Sequence, residues 1–119
     1  MKWFLVLLAA FAVVLSAADI SGTWKGSAET QFGKVERTFV FKVDGSKLTG
    51  ETSSDRFGKS PIEEGKVEGD SLSFTITASY QGNEAKVYYK GKVAGDVIKL
   101  TAEIPGFGQP VEYTVKRVS

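Results

Sequence analysis

Arg37 is the residue of this chain best placed to do chemistry. It occupies the apolar parity of an alternating run, Val35, Arg37, Phe39, Phe41 and Val43, so period-two geometry aims its guanidinium to the same side as the phenylalanines. A guanidinium held among apolar groups can grip the carboxylate or phosphate of an otherwise apolar ligand through a charge-assisted, bidentate contact. The competing role is structural: an inward arginine near a rim reaches water or pairs with an acid such as Glu63 or Glu84. Tyr80, Tyr89 and Tyr113 fall on inward positions of three further runs. Their hydroxyls would donate into a cavity, or their rings would serve as amphipathic core.

Covalent and metal chemistry find little support. The chain has no histidine and no cysteine, which removes the usual general base, the thiol nucleophile and the commonest metal ligands. Ser27 and Ser73 lack a basic partner, and no Gly-x-Ser-x-Gly elbow occurs. Glu63 and Glu64 are adjacent acids, but neighbours on a strand face opposite sides and would share a substrate only if a bulge turned them together. These features predict binding without catalysis, with no metal and no cofactor.

Three Phe-Gly dipeptides, Phe32-Gly33, Phe57-Gly58 and Phe107-Gly108, lie in stretches that read as loops. In an eight-strand meander they join strands 1 to 2, 3 to 4 and 7 to 8, connections that all emerge at one end. Large apolar side chains in loops have no packing reason to be there, so Phe32, Phe57 and Phe107 predict a contact surface or a plug at the mouth of a cavity.

The elements that must position these residues follow from a recurring turn. Val43-Asp44-Gly45-Ser46-Lys47-Leu48, Val67-Glu68-Gly69-Asp70-Ser71-Leu72 and Val93-Ala94-Gly95-Asp96-Val97-Ile98 each read as a two-residue hairpin. Glycine at the first central position suits a type II′ turn, which needs positive φ there. That register sets Val43 opposite Leu48, Val67 opposite Leu72 and Val93 opposite Ile98. Alternation then continues outward along strands near Gly22–Glu29, Val35–Val43, Lys47–Ser53, Leu72–Tyr80, Ala85–Val93, Ile98–Ile104 and Val111–Arg117. The fourth strand, opened by Pro61, is irregular: Ile62 has the wrong parity to share a face with Val67, and a bulge near Glu63-Glu64-Gly65 would repair it. Residues 53–60 read as the longest mouth loop.

Strands polar on one face and apolar on the other pair antiparallel with one buried side. Tight hairpins at one end and longer loops at the other favour a sheet that closes on itself over a two-sheet sandwich. The predicted fold is all-β, an eight-stranded antiparallel up-and-down β-barrel. Such a barrel is filled by side chains or holds one small ligand.

Residues 1–18 read as a cleaved signal peptide: Lys2, an apolar run from Trp3 to Leu15, then Ser16-Ala17-Ala18. They predict a secreted or periplasmic protein whose domain is residues 19–119. Without Lys2 the remainder carries 14 basic and 14 acidic residues, interspersed and net neutral, which argues against nucleic-acid binding.

Gly22-Thr23-Trp24 at the head of the first strand, with Arg117 near the end of the last, resembles the calycin signature. In lipocalins and their relatives a Gly-x-Trp motif lays the tryptophan across the closed barrel base, beneath a C-terminal basic side chain. The resemblance implies that Gly22, Trp24 and Arg117 build that base. The chain after the leader also resembles small secreted bacterial lipocalin-like domains. Avidins share Gly-Thr-Trp and a Leu-Thr-Gly, matched by Leu48-Thr49-Gly50, but hold biotin with several later tryptophans, and here Trp24 is the only tryptophan after the leader. Two functions follow: a binding protein for a small, mostly apolar ligand, or a filled barrel whose Phe-Gly loops contact protein, glycan or membrane.

Overall fold

Period-two alternation has produced a single antiparallel sheet, in a computed structural model that describes residues 19–30, 33–55, 58–80, 82–106 and 108–118, with Tyr80 described by its backbone only. Its strands are β1 (Gly22–Thr30), β2 (Gly33–Asp44), β3 (Lys47–Ser54), β4 (Gly58–Pro61), β5 (Glu63–Glu68), β6 (Ser71–Tyr80), β7 (Asn83–Ala94), β8 (Val97–Glu103) and β9 (Val111–Arg117). β4 and β5 are two halves of one strand interrupted at Ile62. β1 pairs with β9 as well as β2, and β2 also pairs with β3, so the sheet closes into an eight-stranded up-and-down barrel. The described residues hold no helix.

The three hairpins set the register. Val43 faces Leu48, Val67 faces Leu72 and Val93 faces Ile98 across their turns. Gly45, Gly69 and Gly95 have φ of 65°, 59° and 64°, whereas Ser46, Asp70 and Asp96 do not take positive φ. That is the type II′ pattern, whose twist matches the flanking strands. Turn carbonyls at this end are also used: Ser46, Asp70 and Asp96 accept from the amides of Val67, Val93 and Arg117 at 2.8, 2.8 and 2.9 Å.

The fourth strand departs from expectation in one respect and matches it in another. Residues 53–60 are not one long loop, because β3 runs to Ser54 and β4 begins at Gly58, with Ser54 opposite Gly58 and Glu51 opposite Pro61. Pro61 therefore sits inside the strand pairing; the next amide, Ile62 N–H, donates to the Gly50 carbonyl of β3 at 2.9 Å, so by alternation the Pro61 nitrogen faces away from β3 and deprives it of no bond. The bulge does occur. Register shifts between Glu63 and Lys66, Glu64 adopts φ of 54°, and both Ile62 and Val67 become buried.

The barrel wall is closed at the hairpin end and parted at the other. β1 pairs with β9 only from Trp24 to Ser27, against Arg117 to Thr114, although both strands continue towards the mouth. β6 pairs with β5 as far as Thr75, and its remaining residues pair only with β7.

Gly50 marks a close approach of β3 to the backbone of β2. Its φ is 137°, and a Cβ there would overlap the Val40 carbonyl oxygen. We expect Gly50→Ala to lower unfolding free energy by about 3 kcal/mol, from backbone strain plus overlap. The exposed Lys42→Gln on the neighbouring strand should change it by less than ~0.5 kcal/mol. Urea denaturation of both variants checks the contrast.

Candidate functional site: a cavity with one buried arginine

An aromatic plug crosses the middle of the barrel. The Phe74 and Tyr89 rings stack with centroids 4.7 Å apart, and Phe39 meets Phe74, Tyr89 and Tyr113 edge-on at 6.1, 5.8 and 6.3 Å. Phe41 completes the group against Phe39 and Phe74. Below the plug, Trp24, Leu48, Val67, Ile98, Leu100 and Val115 fill the base.

Above it the barrel is open. A cavity of about 630 Å³ occupies the mouth half, with Arg37, Tyr89 and Tyr113 among its lining. Its walls are apolar, from Val35, Ile76, Val87, Ala102, Ile104 and Val111, and Glu29, Asn83 and Glu84 lie on its exposed edge. The hollow has a local origin. Inward positions above the plug include three alanines, Ala78, Ala85 and Ala102, where those below carry tryptophan, leucine, isoleucine and valine.

Arg37 reaches this cavity from β2 and is only 7% exposed. Its Nη1 donates to Thr52 Oγ1 at 3.3 Å, and that hydroxyl donates onward to the Thr38 carbonyl at 3.0 Å. Its Nε is buried with no hydrogen-bond partner, and none of the ion pairs among the described residues includes Arg37. Neither candidate acid neutralises it: Glu63 pairs with Lys86 at 3.1 Å, and Glu84 borders the mouth without reaching Arg37. A nearly buried guanidinium with no carboxylate beside it among the described residues costs free energy. Burial pushes the Tyr89 phenol well above its usual 10.0, against the pull of the nearby Arg37 charge.

Thr52 was not among the residues singled out by sequence. It lies two positions beyond Gly50 on the inward parity of β3 and is fully buried, so parity alone would have found it. Tyr80 pairs with Asn83 through its backbone, and its side chain lies outside the described residues. Phe32, Phe57 and Phe107 also lie outside them, as do residues 1–18, the expected signal peptide. Their flanking glycines are described, and Gly108 borders the cavity.

The adjacent acids are turned together by the bulge rather than held on opposite faces. Thr75 Oγ1 donates to Glu64 Oε1 at 3.1 Å, and Thr77 Oγ1 donates to Glu63 Oε1 at 3.4 Å. Both carboxylates thus meet threonines on the outward parity of β6, away from the cavity. This cover also buries Thr75, an outward residue, to 6% exposure.

At the base, Trp24 is fully buried and donates from Nε1 to the Ile20 carbonyl at 2.9 Å. The Arg117 guanidinium lies 4.5 Å from the Trp24 ring centroid. Its Nη1 and Nη2 donate to the Ser21 and Asp19 carbonyls at 2.9 and 3.2 Å, and Nε faces Asp96 Oδ1 at 3.3 Å. Gly22, with φ of 135°, turns the chain between Ile20 and Trp24. Arg117 thus ties the entering and leaving strands over the tryptophan. Trp24 does not line the cavity, so its fluorescence reports the base rather than a ligand.

The chain matches no family model, no curated protein and no solved structure.

Two outcomes follow. Arg37→Met, similar in length and uncharged, should raise the unfolding free energy of the refolded protein by about 1–2 kcal/mol, because an unpaired buried charge is removed; urea denaturation measures it. Tyr89 is held protonated in the fold, so its contribution is complete below the ordinary phenol value of 10.0 and declines as pH rises beyond it. The urea midpoint should fall less steeply above pH 10 in Tyr89→Phe than in the parent.

Proposed function

We propose that this protein is a non-catalytic, calycin-like binding protein, exported by its leader to the periplasm or beyond, that holds a small and mostly apolar ligand in the mouth half of its barrel. The observation that carries the proposal is the cavity of about 630 Å³, walled by aliphatic side chains and lined by one arginine that has no counter-ion among the described residues. Volumes of this order suit small-molecule sites, which combine apolar walls with few polar groups. Arg37, Tyr89 and Tyr113 act as polar handles.

The contact of Arg117 with Trp24 behind Gly22 supports the calycin affinity, since it joins the Gly-x-Trp motif to the last strand. An interaction module working through the Phe-Gly loops would be best served by a solid barrel. The open mouth half favours the carrier. The outward placement of Glu63 and Glu64 leaves the cavity without a converging acid pair, which favours binding over hydrolysis.

Native mass spectrometry of protein purified without denaturation should find a one-to-one small-molecule adduct, and an environment-sensitive apolar dye should bind the stripped protein. Ala102→Trp, which fills the cavity wall, should abolish both while circular dichroism stays that of the parent. Absence of adduct and dye binding in the parent protein would refute the carrier.

A further inference from the structure

The register gathers lysines that are scattered along the sequence onto one outer face of the barrel. From this we infer that the protein docks against anionic lipid headgroups through the base half of β7, β8, β9 and β1. The outward residues there are Lys90 and Lys92 on β7, Lys99 on β8, Lys116 on β9 and Lys25 on β1, all exposed. Lys92 stands directly opposite Lys99, and Lys116 directly opposite Lys25. Thr114 opposes Lys99 while Val97 opposes Lys116, so the two pairs are diagonal neighbours. Of the five, only Lys92 has an ion pair among the described residues, an exposed one with Asp70 at 3.4 Å.

Like charges directly opposite on a sheet are destabilising. Elsewhere the register opposes unlike charges, Glu29 to Lys34 and Asp44 to Lys47, and where Lys47 also meets Lys66 that same Asp44 offsets it. No acid stands opposite any of the five lysines. The acids of these four strands lie towards the mouth instead, as Glu84, Glu103, Glu112 and Glu29, all exposed. Lys86, beside Glu84, is occupied by Glu63 at 3.1 Å. One face is thus basic at its base end and acidic at its mouth end.

Two observations favour a bilayer over a soluble polyanion. Among the described residues three large hydrophobic side chains are exposed, and two border this patch: Tyr88 at 44%, two residues before Lys90, and Val118 at 57%, two residues after Lys116. Tyrosine suits a membrane interface, where its ring meets the apolar layer and its hydroxyl the headgroups. A soluble polyanion gives Val118 nothing apolar to enter. The cations are also lysines, flexible point charges that can follow mobile headgroups, rather than arginines built for a fixed bidentate grip. An anionic leaflet attracts each of them and repels the mouth glutamates, so the barrel rests on its basic end with the mouth turned away. None of the docking residues lines the cavity, and the inference does not depend on the carrier function.

The test is flotation of the full protein with vesicles of phosphatidylcholine alone and of phosphatidylcholine with phosphatidylglycerol. The quantity read is the ratio of the two partitions, which a leader still attached would leave unchanged. Expected is a ratio of about a hundred or more at low salt, falling towards one as salt screens the lysines. Lys99→Gln and Lys116→Gln should each lower it about five-fold, and the double variant about 25-fold. Lys34→Gln and Lys59→Gln, on β2 and β4, should change it less than about two-fold, being outside the patch. Tyr88→Ser with Val118→Ser should weaken both partitions alike. The urea midpoint of Lys99→Gln should not fall below that of the parent, since an opposed charge is removed.

A ratio near one for the parent at low salt would overturn the docking surface, as would equal losses in the Lys34 and Lys59 variants. Binding to dextran sulfate without binding to vesicles would overturn the bilayer in favour of a soluble polyanion. None of these outcomes bears on the small-molecule adduct that tests the carrier.

Discussion

The stack of Phe74 on Tyr89, with Phe39 wedged edge-on against both, is the contact on which the rest of this barrel depends. Closing eight strands produces an interior that must be filled or left open, and these rings divide it. The base below them is packed with branched aliphatics and Trp24, which supplies the hydrophobic stabilisation of a chain with no disulfide. The half above is lined by alanines and valines and stays hollow. Stability and the candidate site are thus allotted to opposite ends of the same strands.

That division also explains where backbone pairing is complete. Arg117, Asp19, Ser21 and Asp96 bind the first and last strands together over Trp24. Towards the mouth β1 and β9 part, and β6 loses its neighbour on the β5 side. Where few interior side chains meet, little holds adjacent strands in register against the twist of the sheet. Arg37 sits at this boundary, low enough to be buried by the plug and high enough to face the hollow. Its unpaired Nε is the sort of unsatisfied polar group that native structures keep for a reason.

Much of the wall was legible because strand alternation is a local property. Val35, Arg37, Phe39 and Phe41 are all buried on one parity, and the Gly-Ser and Gly-Asp turns fix register from two residues each. The fourth strand was legible in part. The clash of parity between Ile62 and Val67 announced a bulge, but the pairing of Ser54 with Gly58 did not show, since a polar Ser-rich run has weak strand preference and gains its place from β3. The turning of Glu63 and Glu64 onto one face was foreseen only as a consequence of that bulge, because it depends on φ at Glu64, which no alternation rule predicts. Ile20, buried beneath Trp24, precedes the first strand and so carried no periodic signal.

By itself the sequence determined which residues face inward, where the tight turns fall and that Arg37 points the same way as Phe39. Each of these rests on neighbours a few positions apart. Only the tertiary structure decided that the barrel is filled at one end and hollow at the other, and that no acid among the described residues comes to meet Arg37. A cavity is what remains after side chains from all eight strands have met across the interior, and that sum of volumes and charges is settled by contacts between residues far apart in the chain.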